Sequence, residues 1–171
     1  LAALLTAKLH TGKFAVGSAL NGTLAGLVAI TAGCAFVEPW GAVVIGVLGG
    51  LAMYGATLLL EVLRIDDAVG AVPVHGAAGA VGTLAVGLFD VDTGLLYGGG
   101  WGQLLSQAVG VVAAFAWTVG VSWLVFLAIR AVLGLRVTEE EEQRGLDYYE
   151  HGVVAYPDFV TPGREEPAAP D

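Results

Sequence analysis

Charge is what this 171-residue sequence has least of. Lys and Arg number 7 and Asp and Glu 16, and charged residues make up 13 % of the chain, about half the usual share of a soluble domain. With so few bases there is no basic patch, and no nucleic-acid partner is expected. The single cysteine, Cys34, excludes an internal disulfide and any multi-cysteine metal site. It reads as a small buried apolar residue. No metal or other cofactor is expected.

What fills the space left by charge is apolar sequence. The hydrophobic fraction is 56 % and the mean hydropathy is strongly positive. Between Phe14 and Arg136 the only charged residues are Glu38, Glu61, Arg64, Asp66, Asp67, Asp90, Asp92 and Arg130. The stretches between them suit helices crossing a bilayer, which takes roughly 20 residues each. Glycine, 26 residues, sits inside these runs. It disfavours soluble helices by about 1 kcal/mol per residue, but it lets membrane helices approach closely. The fold class expected is all-α, a polytopic membrane helix bundle.

The segments divide at turn and charge signals. Leu1 to about Leu9 reads as the end of a preceding helix, which makes the sequence the C-terminal portion of a longer protein. Spans are expected over Val16–Phe36, Ala42–Leu63, Val69–Phe89 and Leu104–Leu135. The last, at 1.5 Å per residue, would be about 48 Å long and must tilt or project. Residues 1–135 thus form a transmembrane domain, 136–160 a polar tail, and 161–171 a disordered Pro- and Glu-rich end. With four spans, all the bases (Lys8, Lys13, Arg64, Arg130, Arg136, Arg144 and Arg164) fall on one side. By the positive-inside rule that side and the C-terminus are cytoplasmic. Glu38, Asp90 and Asp92 lie opposite, with Trp40 and Trp101 at the outer interface.

His75 is the candidate functional residue. It lies in the apolar run from Val72 to Phe89. Burying a polar ring costs roughly 2–7 kcal/mol without a partner, so ionisable groups inside membranes are functional candidates by default. Two readings stand: a packed histidine bonding a neighbouring helix, and a residue lining a transport pathway. On an α-helix Gly79, Gly82 and Val86 share its face, which leaves room beside the ring and favours a pathway. An imidazole accepts and donates hydrogen bonds and titrates near neutrality. His75 is expected in the middle third of its span, pointing to the bundle centre.

Other candidates read as structural. Asp66 and Asp67 are helix caps. Gly22 and Gly26 form a small-xxx-small pair for helix contact. Asn21 and Thr31 can bond across helices. His10 and His151 carry no assigned role. Glu139 to Glu142 form a solvated charge run, but apolar Leu135, Val137 and Leu146 around them suggest docking on the cytoplasmic face.

Taken in order, several motifs resemble the ammonium transporter family (Amt/MEP/Rh), the bacterial Amt type above all. They are Leu24-Ala25-Gly26-Leu27-Val28-Ala29-Ile30-Thr31, Arg64-Ile65-Asp66-Asp67, Val74-His75-Gly76-Ala77-Ala78-Gly79, Gly134-Leu135-Arg136-Val137, Gly145-Leu146-Asp147, Glu150-His151-Gly152 and Ala155-Tyr156-Pro157. The resemblance implies an eleven-span inverted-repeat fold in the cell (plasma or inner) membrane, assembled as a homotrimer, with this chain as its C-terminal part. It implies no enzyme activity. Ammonium would be deprotonated before passage through a hydrophobic pore in each subunit, with His75 as one of a pore histidine pair. It also implies a PII-type signalling protein as a partner on the cytoplasmic face. The family's Thr-Pro is Thr31-Ala32 here, expected to straighten that helix locally. The alternative function is an ammonium sensor that signals through a bound or fused partner. No further domain is expected after the tail, which favours transport.

Overall fold

Small residues decide how the helices of this protein meet. In the computed structural model, residues 1–153 are described. They form helices α1 (Ala2–Thr11), α2 (Val16–Thr31), α3 (Pro39–Leu63), α4 (Ala78–Phe89, entered through a wide turn over Val72–Ala77), a short 3-10 turn at Leu95–Tyr97, and α5 (Gly102–Val132), followed by the short helices α6 (Glu139–Arg144) and α7 (Leu146–His151). No strand appears among the described residues; one isolated bridge joins Val37 to Asp90. The chain divides into two units, Leu1–Thr118 and one beginning at Val119.

In the first unit α2, α3 and α4 pack around Ala29, which is fully buried. A Cβ on Gly49 of α3 would lie 2.6 Å from the Ala29 side chain, and one on Gly82 of α4 would overlap the Ala29 carbonyl. The helices therefore touch backbone to backbone, as apolar segments do when hydrophobic burial cannot drive their association. Gly22 receives Ala3 of α1 in the same manner, and Gly26 faces Gly46 of α3. The glycine faces of the first two expected spans thus meet helices. Around these contacts sit two apolar clusters, Ala3, Ala25, Met53, Val74 and Ala78, and Ala29, Ile45, Ala85 and Phe89. The start of α5 closes against Gly87, where a Cβ would overlap the Leu104 backbone. No residue of α5 is buried.

Element ends follow local chemistry. Pro39 occupies the first turn of α3 behind extended Glu38, where its missing N–H costs nothing. Arg64 ends α3 in the left-handed region at φ 57°, with its N–H on Glu61 and that of Ile65 on Leu60. The ends of neighbouring helices are tied on both sides. Val91 N–H donates to the Phe36 carbonyl at 2.9 Å, and Asn21 Nδ2 donates to the Val69 carbonyl at 3.4 Å. These ties set α2 and the Val72–Phe89 segment parallel, with α3 running back between them.

Among the described residues three helices are long and apolar enough to cross a membrane: Pro39–Leu63, Val72–Phe89 and Gly102–Val132. Three expectations need correction. The first span does not continue to Phe36; α2 ends at Thr31, and Gly33 N–H turns back to Ile30, followed by Val37 N–H on Gly33. Ala32 in place of proline therefore does not extend the helix, because the tight turns at Gly33 end it. The third span begins as a wide turn, not as regular helix. Cys34 is exposed rather than buried.

In the second unit α6 opens on a capping box. Thr138 Oγ1 accepts from Glu141 N–H at 3.3 Å, and the Glu141 carboxylate accepts from Thr138 N–H at 2.8 Å. The Thr138 N–H on that carboxylate, and then the Thr138 hydroxyl, hold the Glu141 pKa below its usual value. The Arg136–Glu142 ion pair, 3.0 Å, is largely exposed and contributes about 0–1 kcal/mol. The apolar tail residues Leu135, Leu146 and Val153 are exposed. Residues 154–171, and with them Ala155-Tyr156-Pro157, the end of the expected 136–160 tail and the expected disordered end at 161–171, lie outside the described residues.

Replacing Gly82 by valine should destabilise the full protein by about 1–3 kcal/mol or more, since added atoms must displace backbone. Replacing Gly55, which has open space around it, by alanine should be neutral. Thermal unfolding of the detergent-solubilised protein, read side by side for the two variants, checks the difference.

Candidate functional site

The segment that carries His75 is entered from an ordered loop. After Arg64, Asp67 turns its carboxylate onto the first free N–H groups of the next helix: Oδ1 accepts from Ala71 at 2.9 Å and Oδ2 from Val72 at 2.8 Å. The Val72 N–H, followed by that of Ala71, holds the Asp67 carboxyl below its usual range. Asp66 is exposed and has no hydrogen-bond partner among the described residues. Gly70 adopts φ +74°, and a Cβ there would sit 2.7 Å from Asn21 Nδ2.

Val72–Ala77 then form a wide turn in which Ala78 N–H is shared between the His75 carbonyl and, five residues back, the Pro73 carbonyl. Such π turns are rare and recur at functional sites. Pro73 and Val74 are buried, with Val74 against Ala25, Met53 and Ala78.

His75 stands on the other side. It is the fourth residue of the Val72–Phe89 segment, not in its middle third, and it is exposed. Its ring has no partner among the described residues. Within this chain the imidazole does not point into the packed centre of α2, α3 and α4. Gly79 is half-buried beside Val28 and Gly82 is buried on Ala29. The buried line of this segment runs through Val74, Ala78, Gly82 and Ala85, and His75 is one position off it.

The opposite end of the unit is also ordered by polar groups. Glu38 Oε2 accepts from Trp40 Nε1 at 2.6 Å and from Tyr97 hydroxyl at 3.2 Å. Desolvation, then the hydrogen bond and charge of Glu38, raise the Tyr97 pKa. Trp40 stands edge-on to Phe89, 5.5 Å between centroids. Asp90 folds the following loop with one oxygen, Oδ1, accepting from Thr93 N–H at 2.8 Å, Asp92 N–H at 2.9 Å and the Thr93 hydroxyl at 3.0 Å. The Thr93 N–H is the main cause of its lowered pKa.

One contact had no signal in the sequence. His10 Nδ1 lies 2.9 Å from the Tyr54 hydroxyl, across 44 residues, joining the end of α1 to the middle of α3. Thr31, expected to bond across helices, instead donates to Leu27 within α2.

The Asp67 contacts set a pH dependence. A carboxyl whose folded pKa lies below its unfolded value of 3.8 stabilises above that value, and the contribution is lost as pH falls through the lower folded pKa. Asp67→Asn should therefore lower stability at neutral pH and shrink the loss of stability on acidification below pH 3.8. Unfolding of variant and parent, followed across that acid range, checks both.

Comparison with known proteins fixes the family. The model of the Ammonium Transporter Family matches residues 1–156. Ammonium transporter Amt2 of Archaeoglobus fulgidus is 45 % identical over 94 % of this chain and 37 % of its own length. Among solved structures, a Sensor Amt Protein superposes with a TM-score of 0.79 at 42 % identity, over 88 % of this chain and 38 % of that one. Mep2 of Saccharomyces cerevisiae superposes with a TM-score of 0.74 at 31 % identity, over 81 % of this chain and 34 % of that one. The chain thus spans little more than a third of these relatives. The family is one of transporters rather than enzymes. With apolar helices of crossing length, an all-helical fold shared with Amt and Mep structures and a match from Leu1 to Tyr156, this chain belongs to the ammonium transporter family.

Proposed function

We propose that this chain is the C-terminal portion of an ammonium transporter and that His75 lines its conduction pore. The observation that carries the reading is the family match over residues 1–156, joined to an exposed imidazole in an apolar segment of crossing length. A ring in that position needs a polar partner. The face that presents His75 is free among the described residues; the rest of a longer protein would complete it, and a second histidine would pair with it there.

Deprotonation outside follows from the same physics. A bare ammonium ion in hydrocarbon carries an unpaired charge at great cost, whereas neutral ammonia does not. The pore would pass ammonia and a proton separately, with an imidazole able to accept and donate in turn. The Asp67 cap fixes the loop before this segment. Trp40 and Trp101 would mark the outer interface, and Lys8, Lys13 and Arg64 the inner one, which supports a cytoplasmic C-terminus; the family resemblance supports the cell membrane.

Residues 1–135 would form the transmembrane part of an eleven-span subunit in a homotrimer, and 136–160 a regulatory tail. The exposed Leu135, Leu146 and Val153 support docking of that tail on the cytoplasmic face, where a PII-type signalling protein would find it. A second reading, an ammonium sensor acting through a partner, is favoured by the superposition on the Sensor Amt Protein. The two part on uptake, since a pure sensor moves no substrate.

In the full-length protein, His75→Ala should lower or alter methylammonium uptake at least severalfold while native mass measurement still finds three subunits. Unchanged uptake and ion selectivity would remove the pore role. Absence of uptake by the parent protein would favour the sensor. A clean monomer would remove the proposed assembly.

A further inference from the structure

We infer that the Thr83 hydroxyl is a second station of the conduction path, an acceptor for an N–H of ammonium or methylammonium on the outer side of His75. This deepens the pore reading and rests on it.

A threonine inside a helix has a partner at hand. Its hydroxyl can donate to the carbonyl four residues back, and in apolar surroundings an unbonded hydroxyl is costly. Every other threonine of α1 to α4 makes that bond: Thr6 on Ala2, Thr11 on Ala7, Thr23 on Ala19, Thr31 on Leu27 and Thr57 on Met53, at 2.7–3.0 Å. Thr83 does not. Its hydroxyl makes no hydrogen bond among the described residues, although the residue is half-buried. No buried side-chain oxygen of those residues lacks a partner, so this oxygen is open to the outside of the packed unit. His75 and Thr83 are the polar side chains of the Val72–Phe89 segment, and both leave their polar atoms unused within the described residues.

Their placement joins them. His75, Gly79 and Thr83 are successive members of one i, i+4 row, the first exposed and the other two half-buried. The row runs beside the buried line through Val74, Ala78 and Gly82. Its two polar groups stand about 12 Å apart along the axis, eight residues at 1.5 Å each. Gly79 between them puts no side chain in the gap. Thr83 is the twelfth residue of the 18-residue segment, deeper in the span than His75. It lies toward Phe89, whose ring Trp40 meets edge-on at 5.5 Å. That is the end the pore reading makes outer, so a solute entering there reaches Thr83 before His75.

The chemistry fits the cargo. A hydroxyl oxygen accepts an N–H without bringing a charge of its own. Ammonium, methylammonium and ammonia all have N–H groups to donate, and a cation in an apolar path with no acceptor is costly. Thr83 supplies one acceptor before the imidazole is reached.

The test uses the full-length transporter with Thr83→Val, Thr83→Ser and His75→Ala at matched membrane levels. Thr83→Val removes the hydroxyl and keeps the branched shape. It should raise the half-saturating concentration of methylammonium roughly three- to tenfold, as loss of one hydrogen bond would, with unfolding temperature and assembly as in the parent. Thr83→Ser should restore the parent value. A parent-like half-saturation in Thr83→Val would overturn the inference. So would a loss confined to the maximal rate and joined to a lower unfolding temperature, which would mark a hydroxyl bonded to another helix. Thr83→Cys in a Cys34→Ala background checks access without the valine variant. Mercuric ion should inhibit its uptake, and ammonium should slow that inhibition, relative to the same background with Thr83 kept. Equal sensitivity of the two would overturn the inference. Uptake and selectivity untouched by His75→Ala, with half-saturation still raised by Thr83→Val, would sink the histidine's pore role alone; the reverse pattern would remove Thr83 and keep the histidine.

Discussion

The approach of three helix backbones at Ala29 is the constraint on which the rest of the first unit depends. Ala29 of α2 meets Gly49 of α3 through its methyl group and Gly82 of α4 through its carbonyl. No side chain fits at either glycine, so the axes are held at a separation that any larger residue would break. Once these contacts are made, the larger side chains have set places. Ile45, Phe89 and Ala85 gather on one side of Ala29 along the bundle, and Met53, Val74 and Ala78 on the other. Which face of α4 is buried, and therefore which face is left to present His75, follows from Gly82 seating on Ala29.

Close backbones bring a polar problem to the helix ends, since N–H and C=O groups there have no helical partner. This chain meets it with short side chains and turns. Asp67 takes two N–H groups at the start of the Val72 segment, and Asp90 takes two at its far end along with a hydroxyl. Thr138 and Glu141 exchange bonds at α6. Among the described residues no buried side-chain nitrogen or oxygen is left without a partner. Both aspartates gain from being ionised, as their lowered pKa values require, so the loops are most firmly held at neutral pH.

Much of this was legible in the residues because charge is scarce. The gaps between Glu38, Arg64, Asp90 and Arg136 each hold one of α3, the Val72–Phe89 segment and α5, and Glu38 and Arg64 flank α3 directly. What was not legible depends on single backbone atoms. The end of α2 at Thr31 is set by turns at Gly33, inside a stretch whose composition does not change. The face buried within this chain runs through Val74, Ala78 and Gly82, one position from His75, and the composition of the run does not mark which of two adjacent small-residue lines packs. The contact of His10 with Tyr54 joins residues 44 apart, for which one sequence offers no signal. The capping box at Thr138 was present in the sequence as Thr-x-x-Glu but was hidden in a run of four glutamates.

The departure of His75 from the expected face bears on function. On the packed face, two turns before Gly82, its ring would lie among the close helix contacts of the unit, with little room for a solute. It lies instead on a face where the described residues offer nothing to bond. An imidazole in an apolar segment cannot remain so at small cost, and a core histidine would have been given a donor or acceptor, as His10 has in Tyr54.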